Sequence, residues 1–239
     1  MRETITFDHH FEHAWLHFAV RLLIVVLLIF LFLVLTEGSI AKTFGQALTT
    51  TQILEAEQTL ADLGYWTGPI DGSFDPASRQ ALIAFQKIEG RKRTGALTNP
   101  ELAALRLASR PEPRDSTFPH VEVDLSRQVL LIVDDLGAVS KVLSVCTGND
   151  KLYTDRGKTQ RAHTPRGRFT VTRKINGLRI SSLGALYYPC YIVNGIAIHG
   201  SPSIPPYPAS HGCIRIPMFA AKEVSEILPV GSVVIVYDR

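Results

Sequence analysis

The hydrophobic period of this chain changes once, near residue 108, and that change restricts the fold more than any other feature. From about residue 49 to residue 107, apolar residues recur at helical spacing. From Val121 onward they alternate or run in short blocks, as strands require. A sequence with the two periods in separate halves is neither one helical bundle nor one sheet. Its 239 residues suffice for one or two domains with real cores. The expected architecture is multidomain: an N-terminal transmembrane or signal helix, a small three-helix module, and a mostly-β domain.

The helical half, residues 48–107, carries its own punctuation. Ile53, Ala56, Leu60 and Leu63 mark a first helix, with Thr49 and Gln52 spaced for a capping box. Gly64 ends it, and Gly68-Pro69-Ile70-Asp71-Gly72 is a dense turn signal. Asp75 caps a second predicted helix with Pro76 in its first turn, and Ala81, Leu82, Phe85 and Ile88 line its buried face. After a turn at Thr94-Gly95, Thr98 and Glu101 predict a third helix with its own capping box, ahead of Leu102 and Leu105. Residues 108–119 hold Pro111, Pro113 and Pro119 among charged and small residues, the composition of an extended, semi-rigid linker.

Residues 120–239 read as strands. Val121, Val123 and Leu125 alternate with polar residues, as in a half-buried strand. Further strands are predicted at 129–133, 139–145, 169–172, 191–198 and 233–236, and only 218–228 looks helical. A curved sheet or sandwich is the expected outcome.

Residues 22–35 are an unbroken apolar run, LLIVVLLIFLFLVL. As a helix it reaches about 21 Å, short of the roughly 30 Å hydrocarbon core. Continuing back through Trp15, Leu16, Phe18, Ala19 and Val20 completes a span, with Arg21 able to snorkel outward. The preferred reading makes residues 1–41 a cytoplasmic tail and signal-anchor or transmembrane segment, because the run is long for a signal core. A cleaved secretory signal is the alternative, with Ser39-Ile40-Ala41 as the small-x-Ala site. A buried core helix is a third. Arg2 and Arg21 precede the run and Lys42 follows it, so charge asymmetry does not decide the matter. The first two readings both send the rest of the chain across a membrane.

The net charge of +3, with no Lys/Arg run interleaved with aromatics, gives nucleic-acid binding no support. The three cysteines, Cys146, Cys190 and Cys213, form no CxxC pair, which disfavours structural zinc. In an oxidising compartment Cys146 and Cys190 can pair; otherwise they are small buried hydrophobes. Spacing does not choose between these.

The chemically informative stretch is residues 198–217, IHGSPSIPPYPASHGCIRIP, with two histidines, a cysteine and an arginine around a Pro-rich loop. A thiol attacks well as a thiolate, and a nearby imidazole favours that form, so two imidazoles near one thiol suggest an ion pair. Gly212 permits close approach of a substrate, and main-chain N–H groups around Gly212 and Cys213 can hold an oxyanion. Arg215 can grip a carboxylate in bidentate fashion. The same residue types also fit a zinc site of His199, His211 and Cys213, or a core cysteine beside satisfied histidines. Residue types and spacing leave these readings open.

Two resemblances narrow them. Ser210-His211-Gly212-Cys213-Ile214-Arg215, preceded by His199-Gly200, resembles the L,D-transpeptidase (YkuD) catalytic domain. Thr147-Gly148 and Thr164-Pro165-Arg166-Gly167-Arg168-Phe169 agree with it, and the likeness runs over residues 121–237. Arg215 stands where other members carry Asn, and the gap from His199 to Cys213 is shorter than in some. The resemblance implies that Cys213 is the nucleophile and His199 its base, oriented by the Gly200 carbonyl. It further implies that His211 supports the site by hydrogen bonding, that Ser210 and Gly212 shape the turn, and that Arg215 contacts substrate. No metal or cofactor is implied.

The run LGYWTGPIDGSFDPASRQALIAFQKIEGRKRTGALT resembles the peptidoglycan-binding-1 domain, with Leu63-Gly64-Tyr65, Asp71-Gly72-Ser73-Phe74, Ala81 with Phe85-Gln86, and Thr94-Gly95 at its motif positions. That implies a partner in cell-wall glycan or stem peptides. For Tyr65 and Trp66, packing and sugar stacking both stay open. Together the resemblances imply a bacterial envelope enzyme acting on the extracytoplasmic side, forming 3→3 cross-links through a cysteine thioester. Water as acceptor gives an L,D-carboxypeptidase instead, and a protein lysine gives a protein-to-wall ligase. A non-catalytic wall-binding protein is the remaining alternative.

Overall fold

The computed structural model describes residues 23–27 and 47–238. Residues 23–27 are helical; the remainder of the expected membrane segment lies outside the described residues. Among the described residues, no helix is long and apolar enough to cross a membrane. Leu48–Arg239 is one compact unit.

The helical half contains α1 (Thr50–Asp62), α2 (Pro76–Ile88) and α3 (Asn99–Leu107). Thr49 and Gln52 make both halves of the capping box on α1. Asp75 accepts from the Ser78 N–H at 2.8 Å, with Pro76 opening α2. The box expected on α3 is only half formed. Thr98 accepts from Glu101 N–H at 3.4 Å, but the Glu101 carboxylate turns to Arg91 Nε, 2.9 Å away, because a charged partner binds it more strongly than a neutral backbone donor.

The second half builds two sheets and a separate hairpin. The first sheet runs β3 (Val139–Ser144), β2 (Val129–Val133), β1 (His120–Asp124), β12 (Val233–Tyr237), β6 (Gly167–Thr170). The second runs β11 (Ile214–Pro217), β10 (Ile196–Ser201), β9 (Gly184–Val193), β7 (Arg173–Lys174), with β8 (Leu178–Ser181) also on β9. The hairpin is β4 (Leu152–Asp155) with β5 (Lys158–Arg161). A 3-10 turn, Met218–Ala220, leads into α4 (Ala221–Ile227). Val123, Leu130, Ile132 and Leu143 of the first sheet meet Ile192, Ile198, Ile214 and Ile216 of the second, closed at one side by Val224 and Leu228.

Strand β2, VLLIV, has no polar alternate positions and is buried at all five residues. A strand of that kind needs cover on both faces. Leu130 and Ile132 face the second sheet, while Val129 and Leu131 belong to a second core with Leu60, Phe85, Leu102 and Leu105 of the three helices. The helical module and the β half therefore share a sheet. Just after α1, Gly64 takes φ +90 and turns the chain onto the exposed edge of β3. Val142 N–H donates to Gly64 O at 2.8 Å, and Trp66 N–H donates to Val142 O at 3.0 Å. Tyr65 and Trp66 are consequently packed, at 2% and 9% exposure, and not displayed to solvent.

Three further expectations change. Strand β1 is buried throughout, not half-buried. Residues 108–119 lie along it, with Arg114 and Asp115 N–H each donating to the Glu122 carboxylate at 2.9 Å. The strand predicted over 191–198 is broken by a turn at Asn194-Gly195, with φ 45 and 81, the backbone of a tight two-residue hairpin. Strands β4, β5, β7 and β8 had no sequence signal, being short and largely exposed.

Candidate active site

Strands β10 and β11 pair in parallel with Ile198 opposite Ile214 and His199 opposite Arg215. Since side chains alternate along a strand, Ile198, Ile214 and Ile216 go to the core. His199, Arg215 and Cys213, one residue before β11, take the opposite face. All three line one cavity of about 530 Å³, which Ser210 and His211 also line.

The turn that carries Cys213 is fixed from several sides. Gly212 has φ +131, and a side chain there would come within 2.7 Å of Ile196 Cδ1 and 2.8 Å of the His163 carbonyl. Ser210 Oγ donates to the Cys213 carbonyl at 2.6 Å and accepts from Gly212 N–H at 3.0 Å. Thr164 Oγ1 donates to the Gly212 carbonyl at 2.7 Å and accepts from Gly148 N–H at 2.8 Å. The Thr147 carbonyl accepts from Ala209 and Ser210 N–H at 3.0 and 2.9 Å. Through these bonds Thr147-Gly148 and Thr164 brace the turn. The same bonds remove Gly212 N–H from the donors available to an oxyanion.

His199 Nδ1 lies 2.9 Å from the Gly200 carbonyl. A carbonyl can only accept, so Nδ1 carries the proton and Nε2 keeps a free lone pair. Burial works against the ion pair that the residue types suggest. Burial pulls His199 down to about 4, with the Gly200 bond opposing and Arg215 reinforcing the shift. Burial pushes the Cys213 thiol up, against the Ala197 N–H and Arg215. Both shifts favour a neutral thiol and a neutral imidazole, because burial penalises either charge.

His211 is exposed, its ring 4.7 Å from that of Tyr153; among the described residues the ring makes no hydrogen bond. Arg215 is half-buried and has no carboxylate partner among the described residues. Arg161, Arg173 and Arg179 line the same cavity, where the one lining carboxylate, Asp155, accepts from Ser182 Oγ at 2.9 Å. Sequence reasoning missed these three arginines and Tyr153, which sit on or beside the short exposed strands and form no motif. Cys146 and Cys190 are buried, free thiols. Among the described residues, no three His, Cys, Asp or Glu side chains gather as a metal site.

Residues 119–236 match the family described as the L,D-transpeptidase catalytic domain, and residues 49–105 match a putative peptidoglycan binding domain. The chain is similar to an L,D-transpeptidase from Xylanimonas cellulosilytica at 40% identity, covering 82% of this chain and 95% of that one, with a TM-score of 0.74. It is also similar to an L,D-transpeptidase from Stackebrandtia nassauensis at 25% identity, covering 77% and 90%, with a TM-score of 0.45. No curated protein matches.

Proposed function

This chain belongs to the L,D-transpeptidase family, and we propose that it forms 3→3 cross-links between peptidoglycan stem peptides through a thioester on Cys213. The observation that carries this reading is the β10–β11 register. It sets His199, its Nδ1 committed to Gly200, on the same cavity wall as the Cys213 thiol and the Arg215 guanidinium.

The reaction has two halves. His199 Nε2 takes the thiol proton as sulfur attacks the carbonyl of the third stem residue. The oxyanion is held by main-chain N–H near Cys213, its own being the nearest candidate now that Gly212 N–H serves Ser210. The C–N bond breaks, the imidazolium returns its proton to the departing D-Ala amine, and a thioester remains. A neighbouring stem amine then attacks the thioester and restores the thiol. Arg215, with the other cavity arginines, supplies the positive field that stem carboxylates need. His211 borders the site through its contact with Tyr153. Wall engagement falls to the module at 48–107, and residues 1–41 hold the protein at the membrane with its catalytic domain outside.

The direct test is to incubate the full chain with a disaccharide-tetrapeptide and follow products by intact mass. The expected product is a dimer lacking one D-Ala. Loss of D-Ala alone would make the enzyme an L,D-carboxypeptidase, and transfer only to a protein lysine would make it a ligase. No reaction and no adduct from folded protein would leave wall binding as the function.

The acid limb of acylation should lie unusually low. His199 acts as a base only when neutral, and its pKa is depressed from 6.5 to about 4, so the neutral form persists further into acid. Pre-steady-state acylation should stay level from about pH 5 to pH 8 and fall only as pH approaches the histidine pKa. A rate already falling in proportion to acidity below about pH 6.5 would put the proton on a different base.

A further inference from the structure

Lys87 sits on the last turn of α2 in the helical module, where a solvated basic side chain would be unremarkable. It is instead 1% exposed. Its Nζ donates to the Gln128 carbonyl at 2.9 Å, Ser144 Oγ at 2.8 Å and the Val145 carbonyl at 2.9 Å. Those three acceptors use every proton of an ammonium, and no carboxylate is among them. A buried amine is costly unless it is hydrogen-bonded, and here the three bonds that offset the cost also tie α2 to the residues around Gln128 and Val145.

What it holds leads to Cys213. Gln128 has φ +62, a conformation that persists only where surroundings impose it. Its carbonyl also takes Val145 N–H at 3.0 Å, and its side chain bonds Thr147 twice, at 2.7 and 2.9 Å. Beyond Val145, the backbone of Cys146 exchanges two hydrogen bonds with Arg215, at 3.1 and 2.9 Å, and Thr147 takes the N–H groups of Ala209 and Ser210. Both ends of the segment that carries the nucleophile are thus tied to the short stretch that Lys87 grips. The same module reaches the Pro-rich loop, through Arg93 Nη1 on the Pro206 carbonyl at 2.9 Å.

We propose that Lys87 is a positioning residue for Cys213, so that the helical module completes the active site as well as carrying it to the wall. The inference rests on the reading of Cys213 as the nucleophile. The module and the catalytic half act as one body: loosening α2 against β2 and β3 loosens the turn that sets the direction of the thiol. Burial pulls the lysine down to about 7, with the Arg93 charge reinforcing the shift and Cys146 opposing it. Either form can be seated, since the Ser144 hydroxyl can turn to donate to a neutral amine.

The test compares wild type, Lys87→Met and Cys213→Ala, all as the full chain, in acylation by the disaccharide-tetrapeptide read by rapid-quench intact mass. Methionine keeps the length and bulk of the side chain and removes every donor. Lys87→Met should lower the saturating acylation rate by about 10- to 100-fold, while the concentration for half-saturation moves less than about 2-fold, because the thiol is mis-aimed and the cavity is unchanged. A purely structural lysine would lower the melting temperature and leave the folded enzyme's rate intact. A folded Lys87→Met within about 2-fold of wild type at saturation overturns the inference and leaves Cys213 untouched as the nucleophile. If that variant does not fold, Ser144→Ala replaces it, with a fall of about 3- to 10-fold expected and an unchanged rate overturning the inference. A wild type that forms no adduct, indistinguishable from Cys213→Ala, would take down the nucleophile assignment, and the role of Lys87 with it.

Discussion

Cys213→Ala is expected to give a folded protein that binds cell wall but releases no D-Ala and forms no covalent adduct. The fall should be at least about 10³-fold, because removing a nucleophile removes the covalent route and not one increment of it. No other thiol can stand in. Cys146 and Cys190 are buried and free, each with its pKa raised chiefly by burial, and neither lines the cavity. The stability cost should be small, since the Cys213 sulfur meets only weak polar neighbours, the Gly195 carbonyl at 3.9 Å and the Ala197 N–H, and the turn is held by Ser210, Thr164 and Gly212. Melting temperature and wall pull-down should therefore match wild type while intact mass shows no acyl-enzyme. D-Ala release at a wild-type rate would refute the assignment of the nucleophile.

Much of this site was legible in the sequence because its chemistry is local. His199, His211, Cys213 and Arg215 fall within one stretch, and a parallel strand pair joined by the loop 202–213 is enough to bring three of them to one wall. The helix caps at Thr49 and Asp75 were legible for the same reason, since each depends on residues three apart. Apart from the Asn194-Gly195 turn, what was not legible depended on tertiary contacts. The Asn194-Gly195 turn is a strong hairpin signal, but the apolar residues flanking it read as one continuous strand. The cavity arginines come from strands with no buried face, so no period marks them. Val129 and Leu131 looked like any buried strand, and nothing local says that their outer face is covered by helices from residues 48–107. The protonation states differ too. Residue types suggest an ion pair, whereas burial, which spacing does not report, disfavours both charges.

That neutral pair makes the second large effect a sharp one. Burial pushes the thiol's pKa up and so disfavours free thiolate, which raises the value of a base that removes the proton as the C–S bond forms. His199→Ala should slow acylation by about 10²–10⁴-fold near neutral pH, the usual range for losing a general base. The remaining rate should rise with pH, because hydroxide must now generate the thiolate, in contrast to the level profile expected of wild type. His199→Gln gives a second measure: its amide can still donate to the Gly200 carbonyl but cannot accept a proton, so it should be as slow as alanine if the base is what matters. Recovery in glutamine would mean that the ring chiefly holds the Gly200 carbonyl and shapes the wall. Acylation unchanged in both variants would transfer the base role to His211, which lines the same cavity as Cys213.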